Sequence, residues 1–370
     1  MGKDQFTPRQ FMLMVILYAI GTAILVVPST VAFEAKQDAW MPELLGIGMG
    51  AALVMLYMLV AKQNPASSLF EINELVFGKW LGKLITLSVA FCTLIFSSQV
   101  VFYVGEFMIV QIMPTTPIQA INILLVCVVL MGAKLGMVVL ARTAEIFFPW
   151  IVLLFILFIV VIIPSVEPNQ ILPIGEITVM PVIGASLKVT TYSYISMFIT
   201  FGVITHQVTS LQKAQKAYLI GVMVSGLILL SIVVASILVL GADNAATQVY
   251  PSYALAQRIN VGNFLQRIEV IVAFLWLVSI YFKLSIFFYA TIKGLAAVLQ
   301  LRDYKILCVP IGIIITVLSL VVYPNKAYQQ KWDDVTWIPL SLLLGLMYPL
   351  LILGVGWMRK MRAKKLNGSG

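Results

Sequence analysis

The first long apolar run of the chain has no charged residue from Phe11 to Phe33. Such a run can cross the hydrocarbon core of a bilayer, which takes about 20 residues as a helix. Its middle contains Gly21-Thr22 and its second half contains Pro28, and Gly and Pro weaken a helix interior by about 1 and about 3 kcal/mol relative to Ala. Because backbone groups freed in lipid must find partners, the segment is either a kinked helix or a broken helix whose ends form a binding site.

The composition extends the membrane interpretation to the whole chain. Of the 370 residues, 61% are hydrophobic and 11% are charged, whereas soluble domains have about 25% charged residues. The three cysteines lie inside apolar runs and the single His206 has no metal-ligand spacing around it, so neither a disulfide framework nor a metal site is expected. The sequence contains no phosphate-binding glycine loop and no nucleophile elbow. We therefore expect a polytopic membrane protein that is not an enzyme and needs no cofactor.

Apolar runs of spanning length predict ten transmembrane helices in a single membrane domain, residues 1–365. A short interfacial helix is expected over residues 68–78, and the tail 366–370 is interpreted as a cloning remnant. The predicted spans, numbered one to ten, are 7–33, 41–61, 81–113, 118–133, 142–163, 182–205, 217–241, 264–299, 306–323 and 337–357.

The distribution of Lys and Arg predicts the orientation. With the N-terminus in the cytoplasm, 17 of the 24 basic residues fall on inner segments, 5 on outer segments and 2 inside spans. Positive residues favour the cytoplasmic side of a membrane. Both termini are therefore expected in the cytoplasm, and the net charge of +9 needs no nucleic-acid partner to explain it.

Ten spans that start inside divide into two halves of opposite orientation, residues 7–163 and 182–358. An inverted repeat of this kind predicts that span six, like span one, has a weak centre. That centre includes Ser193, Tyr194 and Ser196 among six hydroxyl side chains in seven consecutive positions. Hydroxyls can bind a ligand or satisfy a broken backbone, and they can also simply pack one helix against another.

Span eight places Glu269, Trp276, Ser279 and Lys283 on one helix face, because with Val272 between the first two they follow a spacing of three and four residues. A Lys at mid-bilayer costs about 2.5–3.5 kcal/mol. Lys283 should therefore face the bundle, where it can replace a bound cation or carry a proton, unless its side chain reaches the inner surface.

Span three likewise places Gln99, Tyr103 and Glu106 on one face. Glu106 can gate an outer vestibule, pair with a neighbour or reach the lipid headgroups. Lys188, in the outer half of span six, is a possible partner for Glu106 or Glu269.

The segment Ile20–Trp40 resembles the opening of the spore germination permeases, the B subunits of nutrient germinant receptors. Gln37–Trp40 (QDAW) is the most specific part, and Phe282-Lys283 and the stretch QKAQKA at 212–217 support it. The resemblance covers essentially the whole chain and implies the amino acid–polyamine–organocation superfamily. It further implies an all-α fold of the leucine-transporter type, with a 5+5 inverted repeat and a small-substrate pocket between broken helices 1 and 6.

The resemblance also implies a function: the protein would sense a germinant, typically an L-amino acid, together with a larger membrane A subunit and a lipoprotein C subunit. A half-helix starting near Ala23 would present N–H groups to a carboxylate, while carbonyls at the breaks would hold an ammonium. The expected ligand is a small neutral L-amino acid. The predicted ligand-binding residues are Ile20, Gly21, Thr22, Ala23, Gln99, Tyr103, Ser193, Tyr194, Ser196, Met197, Phe198 and Ser279, and the predicted coupling or gating residues are Lys283, Glu106, Glu269 and Lys188.

Two other functions fit the same residues. A secondary transporter would move an amino acid with a proton, or with Lys283 standing in for sodium. A structural membrane subunit would retain only a vestigial pocket. Sensing and transport need the same site, so the sequence leaves both open.

Overall fold

The computed structural model describes residues 5–258 and 268–367, without the side chains of residue 360 and residues 362–367. Within this part every regular element is a helix, apart from one isolated bridge between Phe6 and Val208. The all-α class is therefore confirmed. The predicted start of span eight at Phe264 and the last residues of the tail lie outside the described part.

The helices are numbered in chain order, and four π-helical turns over Met108–Ile112, Thr191–Ile195, Trp332–Thr336 and Leu343–Met347 extend or join them. Their bounds are α1 Pro8–Ala35, α2 Trp40–Gln63, α3 Leu69–Phe77, α4 Lys79–Phe107, α5 Ile118–Leu135, α6 Met137–Ile162, α7 Val179–Thr190, α8 Met197–Phe201, α9 Leu211–Leu240, α10 Ala242–Thr247, α11 Pro251–Arg258, α12 Glu269–Val298, α13 Cys308–Val321, α14 Lys326–Lys331, α15 Trp337–Leu342 and α16 Tyr348–Asn367.

Nine helical stretches among the described residues are long and apolar enough to cross a membrane. They correspond to predicted spans one to five and seven to ten. Span six is not among them because its helix is divided into α7, the π-turn Thr191–Ile195 and α8. The chain is thus a multi-pass membrane protein, and the predicted interfacial helix is α3.

α1 lies at the centre of the bundle, where it packs against α9, α12 and α7. Within its most apolar stretch of 18 residues, 83% of the residues are buried inside the protein, compared with 17% for the corresponding stretch of α6. A helix that is apolar on all sides and buried on all sides belongs in a core. Peripheral helices such as α6 instead present their apolar side chains to lipid.

α1 is one continuous helix from Pro8 to Ala35, so the break predicted at Ile20–Ala23 is wrong. Its start is fixed by a capping box. The Gln10 N–H donates to Thr7 Oγ1 at 3.2 Å, and the Thr7 N–H donates to Gln10 Oε1 at 3.0 Å. Gly21 lies within the regular part of this helix and packs against the side chain of Lys283.

Pro28 does not break α1 because a neighbouring helix repairs the hydrogen-bond ladder. Proline has no N–H, so the carbonyl four residues before it, that of Ile24, loses its helical partner. Ser252 Oγ in α11 donates to the Ile24 carbonyl at 2.8 Å and is itself fully buried. The backbone group that lipid could not satisfy is therefore satisfied by a side chain.

The weak centre predicted for span six is present. Over the π-turn the ordinary ladder is interrupted, and the Ser196 N–H bonds to the carbonyl of Tyr194. The Tyr57 hydroxyl in α2 donates to the freed carbonyl of Ile195 at 3.1 Å. The hydroxyl-rich sequence thus marks a real interruption, again satisfied by a neighbouring side chain.

The Gln37–Trp40 motif forms the connection between α1 and α2 and holds the loop that precedes α7. Both carboxylate oxygens of Asp38 accept from the Gly175 N–H, at 2.9 and 3.0 Å. Gln37 Nε2 donates to the Pro173 carbonyl at 3.1 Å. These bonds fasten the end of the central helix to the start of the divided helix.

Replacing Ser252 with Ala should destabilise the protein by about 1–2 kcal/mol, because the Ile24 carbonyl is then buried without a partner. Thermal unfolding of the purified protein in detergent measures this cost. Pro28→Ala restores a backbone N–H for the same carbonyl, so in that background Ser252→Ala should cost about 0.5 kcal/mol or less. Equal costs in both backgrounds would contradict the repair by Ser252.

Candidate functional site

The ammonium of Lys283 in α12 lies between α1 and the π-turn of the divided helix. Its Nζ donates to Thr22 Oγ1 at 2.8 Å and to the Tyr192 carbonyl at 2.9 Å, and lies 5.2 Å from the centroid of the Tyr18 ring. The residue is 3% exposed. Lys283 therefore faces the centre of the bundle, as the cost of a charge at mid-bilayer requires, and the alternative of an inner-surface position is wrong.

Gly21 allows Lys283 to approach α1 this closely. A Cβ atom on Gly21 would lie 2.7 Å from Lys283 Cδ and 3.2 Å from its Cβ. Any side chain there would force the lysine away from Thr22. Gly21 and Thr22 therefore form a notch in a continuous helix, in which one residue admits the lysine chain and the next accepts its ammonium.

A cavity of about 320 Å³ extends from Lys283 toward the end of the bundle that carries α14. We call this end the outer end, after the predicted topology, and the opposite one the inner end. The cavity reaches the surface at Val249 and Lys326, which are exposed. Its walls near Lys283 are mainly aromatic, from Phe96, Tyr192, Trp276, Phe287 and Trp337.

Several polar groups of this outer cavity have hydrogen-bonding capacity left over. An ammonium has three donors, and Lys283 uses two of them on Thr22 and Tyr192. Trp276 Nε1 is buried without a hydrogen-bond partner among the described residues. Asp333 accepts from the Tyr103 hydroxyl at 3.0 Å, which leaves further acceptor sites on its carboxylate. The cavity thus offers donors at its floor and an acceptor nearer its opening.

Ion pairs join the last span to its neighbours around the opening. Lys326 Nζ lies 2.8 Å from Glu106 Oε1. Lys188 Nζ lies 2.9 Å from Glu34 Oε1 and 3.9 Å from Asp334 Oδ1. The suggested pairing of Lys188 with Glu106 is therefore wrong. The partner of Glu106 comes instead from α14, which the sequence placed in an outer loop.

A layer of aromatic rings separates the outer cavity from the inner end. Tyr18 packs on Phe201 with ring centroids 5.2 Å apart, and Phe11 packs on Phe201 at 5.4 Å and on Tyr218 at 5.3 Å. The Tyr18 hydroxyl donates to Ser196 Oγ at 3.0 Å, so the layer is also attached to the divided helix. Edge-to-face contacts of this kind favour one defined arrangement.

The cavity contains five of the predicted residues. Gln99, Tyr103 and Glu106 line it from α4, in agreement with their helical spacing, and Thr22 and Lys283 line its floor. Whether these residues bind a ligand stays a prediction.

The remaining predicted residues lie elsewhere. Ile20, Ala23 and Ser193 are buried, and Tyr194 packs against α2 and α9 at Gly50 and Gly226. Ser196 and Ser279 bond within the protein, to Tyr18 and to the Trp276 carbonyl. Met197 and Phe198 border a separate space of about 20 Å³ toward the inner end. They were predicted to bind the ligand, but they do not line the outer cavity. Glu269 is the first residue of α12 and does not line the cavity.

The last span also contributes to the outer cavity, in a way that the predicted spans do not include. Asp333 and Trp337 line the outer cavity from the π-turn and α15. Predicted span ten begins at residue 337, which leaves Asp333 in the loop before it. Its place directly before an apolar run, next to Asp334, is the signal that could have identified it.

Comparison with known proteins gives consistent relatives. A sequence model of the family described as "Spore germination protein" matches residues 5–327. The chain is 28% identical to spore germination protein KB of Bacillus subtilis (strain 168), over 100% of this chain and 99% of that protein. It is 26% identical to spore germination protein YndE of the same organism, over 80% of this chain and 82% of that protein.

Two solved transporters have a similar fold. MhsT, solved in complex with L-phenylalanine, superposes with a TM-score of 0.65 over 95% of this chain and 98% of its own, at 14% identity. Mhp1, a nucleobase-cation-symport-1 family transporter solved in a closed conformation with bromovinylhydantoin bound, superposes with a TM-score of 0.65 over 93% and 78%, at 13% identity. Identities this low show the fold alone, and they confirm the leucine-transporter type.

Replacing Gly21 with Ala should displace Lys283 and destabilise the protein by about 1–3 kcal/mol, because the added methyl group overlaps the lysine chain. Thermal unfolding measures the effect, and Gly48→Ala in α2 is the matched control because nothing lies within 4 Å of its added Cβ. In a Lys283→Ala background the cost of Gly21→Ala should be much smaller, because the 2.7 Å contact with Cδ is removed and only the 3.2 Å contact with Cβ remains. An undiminished cost would show that the overlap is not with the lysine side chain.

Proposed function

The chain belongs to the spore germination protein family, and from that premise we propose that it is the germinant-sensing subunit of a spore nutrient receptor. Its ligand would be a small neutral L-amino acid bound in the outer cavity. The observation that carries the proposal is the cavity itself, with the ammonium of Lys283 at its floor and the carboxylate of Asp333 nearer its opening. The family and the fold are those of permeases, so the chain is not an enzyme.

The proposed pose places the ligand carboxylate at the cavity floor. The third N–H of Lys283 and the indole N–H of Trp276 would donate to it, which are charge-assisted bonds. The N–H groups near Ala23 are engaged within the continuous α1. Lys283 therefore takes the role that the sequence assigned to a half-helix end.

The ligand ammonium would then point toward the outer end and bind Asp333. Asp333 lies one helical turn before Trp337, whose ring stacks on Tyr192 at 6.1 Å, and Lys283 binds the Tyr192 carbonyl. The two charged groups are thus connected by one stacked pair of rings. The ligand side chain would contact the aromatic wall, which favours an apolar residue.

The charge balance supports a zwitterion. Lys283 and Asp333 have opposite charges, and Glu106 pairs with Lys326 at the opening. The cavity therefore has no net charge to offset that of a dianion or a dication, and desolvating an unpaired charge is costly. A neutral amino acid presents one charge to each of the two groups.

Sensing would operate through Lys283, which binds α1 through Thr22 and the divided helix through Tyr192. A ligand carboxylate at the ammonium changes the free energy of this link. A ligand shifts a conformational equilibrium only by its difference in affinity for the two states. The halves 7–163 and 182–358 are the bodies that we propose to move, with the aromatic layer separating as they do.

A secondary transporter is the second candidate function, and one observation favours it. The ammonium of Lys283 lies where a free cation could bridge α1 and the divided helix. Such an internal cation allows proton coupling if the lysine releases its proton during transport. We retain this function because sensing and transport require the same cavity.

The assembly and the location are part of the proposal. The receptor would contain a larger membrane A subunit and a lipoprotein C subunit, in the spore inner membrane, with both termini of this chain in the cytoplasm. Affinity purification of the tagged chain from spores, followed by identification of copurifying proteins, tests the assembly.

Small neutral L-amino acids should raise the thermal unfolding midpoint of the purified protein. Trp276→Phe keeps the aromatic wall and removes one donor, so it should weaken binding by about fivefold to tenfold. Asp333→Asn and Lys283→Met remove charge-assisted bonds and should weaken binding by about tenfold or more. Lys62→Met, at the inner end of α2 and away from the cavity, is the control. If no amino acid stabilises the protein, the proposed ligand class is wrong.

Uptake into proteoliposomes separates sensing from transport. A sensor should bind the amino acid that stabilises it without accumulating it when a proton gradient is imposed. Gradient-driven accumulation that Lys283→Met abolishes would instead establish the transporter function. Empty liposomes and protein with the Asp333→Asn substitution serve as controls.

A further inference from the structure

A second large cleft lies at the inner end, between the end of α5, the start of α6 and the inner end of α12. Its volume is about 840 Å³, and it is lined by the cationic side chains of Arg142, Lys293 and Lys305. Its lining, taken from the described residues, includes no carboxylate. We call it the inner cleft.

Acidic residues lie near the inner cleft, and the Glu71 carboxylate interacts electrostatically with His206, but none of those described lines the cleft. The Asp303 carboxylate accepts from the backbone N–H of Lys305 at 3.0 Å. Glu71 and Glu74 line an adjacent cleft of about 480 Å³, which shares Lys293 with the inner cleft. The charged side chains that line the inner cleft itself, among the described residues, are therefore all cationic.

Lys293 is held in place by two tyrosine rings. Its Nζ lies 4.7 Å from the centroid of Tyr304 and 5.8 Å from that of Tyr289, which are cation–π distances. The Tyr304 hydroxyl donates to the Ala133 carbonyl at 3.4 Å, so this ring is attached to the end of α5. A cation held this way loses little freedom when it binds an anion.

His206 also lines the inner cleft. Burial lowers its pKa below the ordinary value of 6.5, so the imidazole is neutral at neutral pH and adds no charge. Its Nδ1 is buried without a hydrogen-bond partner among the described residues. It provides a polar group next to the three cations.

The start of α6 adds backbone donors to the same cleft. Gly136 precedes the helix without a capping side chain, and Met137 and Val138 at its first turn line the cleft. The first N–H groups of a helix have no intrahelical partner and favour an anion. They complement the cations at one edge of the cleft.

The inner cleft opens to lipid as well as to water. Leu135 and Val139 line it, are 62% and 38% exposed, and belong to two helices long and apolar enough to cross a membrane. A soluble anion has no use for this apolar edge, whereas a phospholipid places its glycerol and first methylenes there. Basic pockets between helices on the cytoplasmic side suit anionic headgroups.

We propose that the inner cleft binds the phosphate of an anionic phospholipid from the inner leaflet, with Arg142, Lys293 and Lys305 as its ligands and Leu135 and Val139 against its glycerol region. Such a site is separate from the outer cavity. It would fasten the α5–α6 corner to the inner end of α12, the helix that carries Lys283.

Native mass spectrometry of the detergent-solubilised full chain tests the site. We expect dioleoylphosphatidylglycerol to bind more tightly than dioleoylphosphatidylcholine. The double variant Arg142→Gln/Lys305→Gln should weaken phosphatidylglycerol binding by about fivefold for each charge removed. Lys213→Gln/Lys216→Gln removes two exposed inner charges outside the cleft and should change the affinity by less than about twofold, because these lysines belong only to the general surface charge.

Three results would overturn the proposal. Equal weakening of phosphatidylglycerol binding in both double variants would mean that the lipid is attracted to the whole basic inner surface and not to the inner cleft. Displacement of the lipid by inorganic phosphate at the same concentration means that the cleft binds a soluble anion. If the double variant does not fold, Lys305→Glu alone, at an exposed position, must weaken phosphatidylglycerol binding, and an unchanged affinity rejects the site. Arg142→Lys/Lys305→Arg should restore binding.

Discussion

The bundle depends on one rule of the membrane interior, which is that every backbone group freed from a helix must find a partner inside the protein. Three side chains satisfy that rule at the centre of the chain. Ser252 donates to the Ile24 carbonyl exposed by Pro28, Tyr57 donates to the Ile195 carbonyl, and Lys283 donates to the Tyr192 carbonyl. Interruptions that would destabilise an isolated helix are therefore compensated by hydrogen bonds from neighbouring helices.

The bond from Lys283 differs from the other two because its donor is charged and has capacity left over. The same ammonium holds α1 to the divided helix and forms the floor of the outer cavity. The Nζ atom of Lys283 therefore both links two helices and contributes a donor to the cavity. Under the proposed function, a ligand that binds this atom would compete with or add to a link between two helices, and occupancy of the cavity would thereby be coupled to the arrangement of the bundle.

Much of this architecture could be predicted from patterns that are local in the chain. Run lengths identified the spans, the hydroxyl-rich stretch located the interruption of helix six, and the spacing of Gln99, Tyr103 and Glu106 identified one wall of the cavity. The continuity of α1 could not be predicted, because Ser252 is 228 residues from the carbonyl that it satisfies. Asp333 was missed for a related reason: its π-turn becomes a cavity wall only through contact with α4.

The cation that lies between α1 and the divided helix is a lysine side chain and not an ion taken from solution. An ion bound from solution dissociates when its concentration is low. A site that needs such an ion therefore responds to the concentration of the ion as well as to that of the ligand. The ammonium of Lys283 is covalently part of the chain and is present at every external salt concentration. Under the proposed function, occupancy of the outer cavity would thereby depend on the concentration of the ligand and not on that of salt.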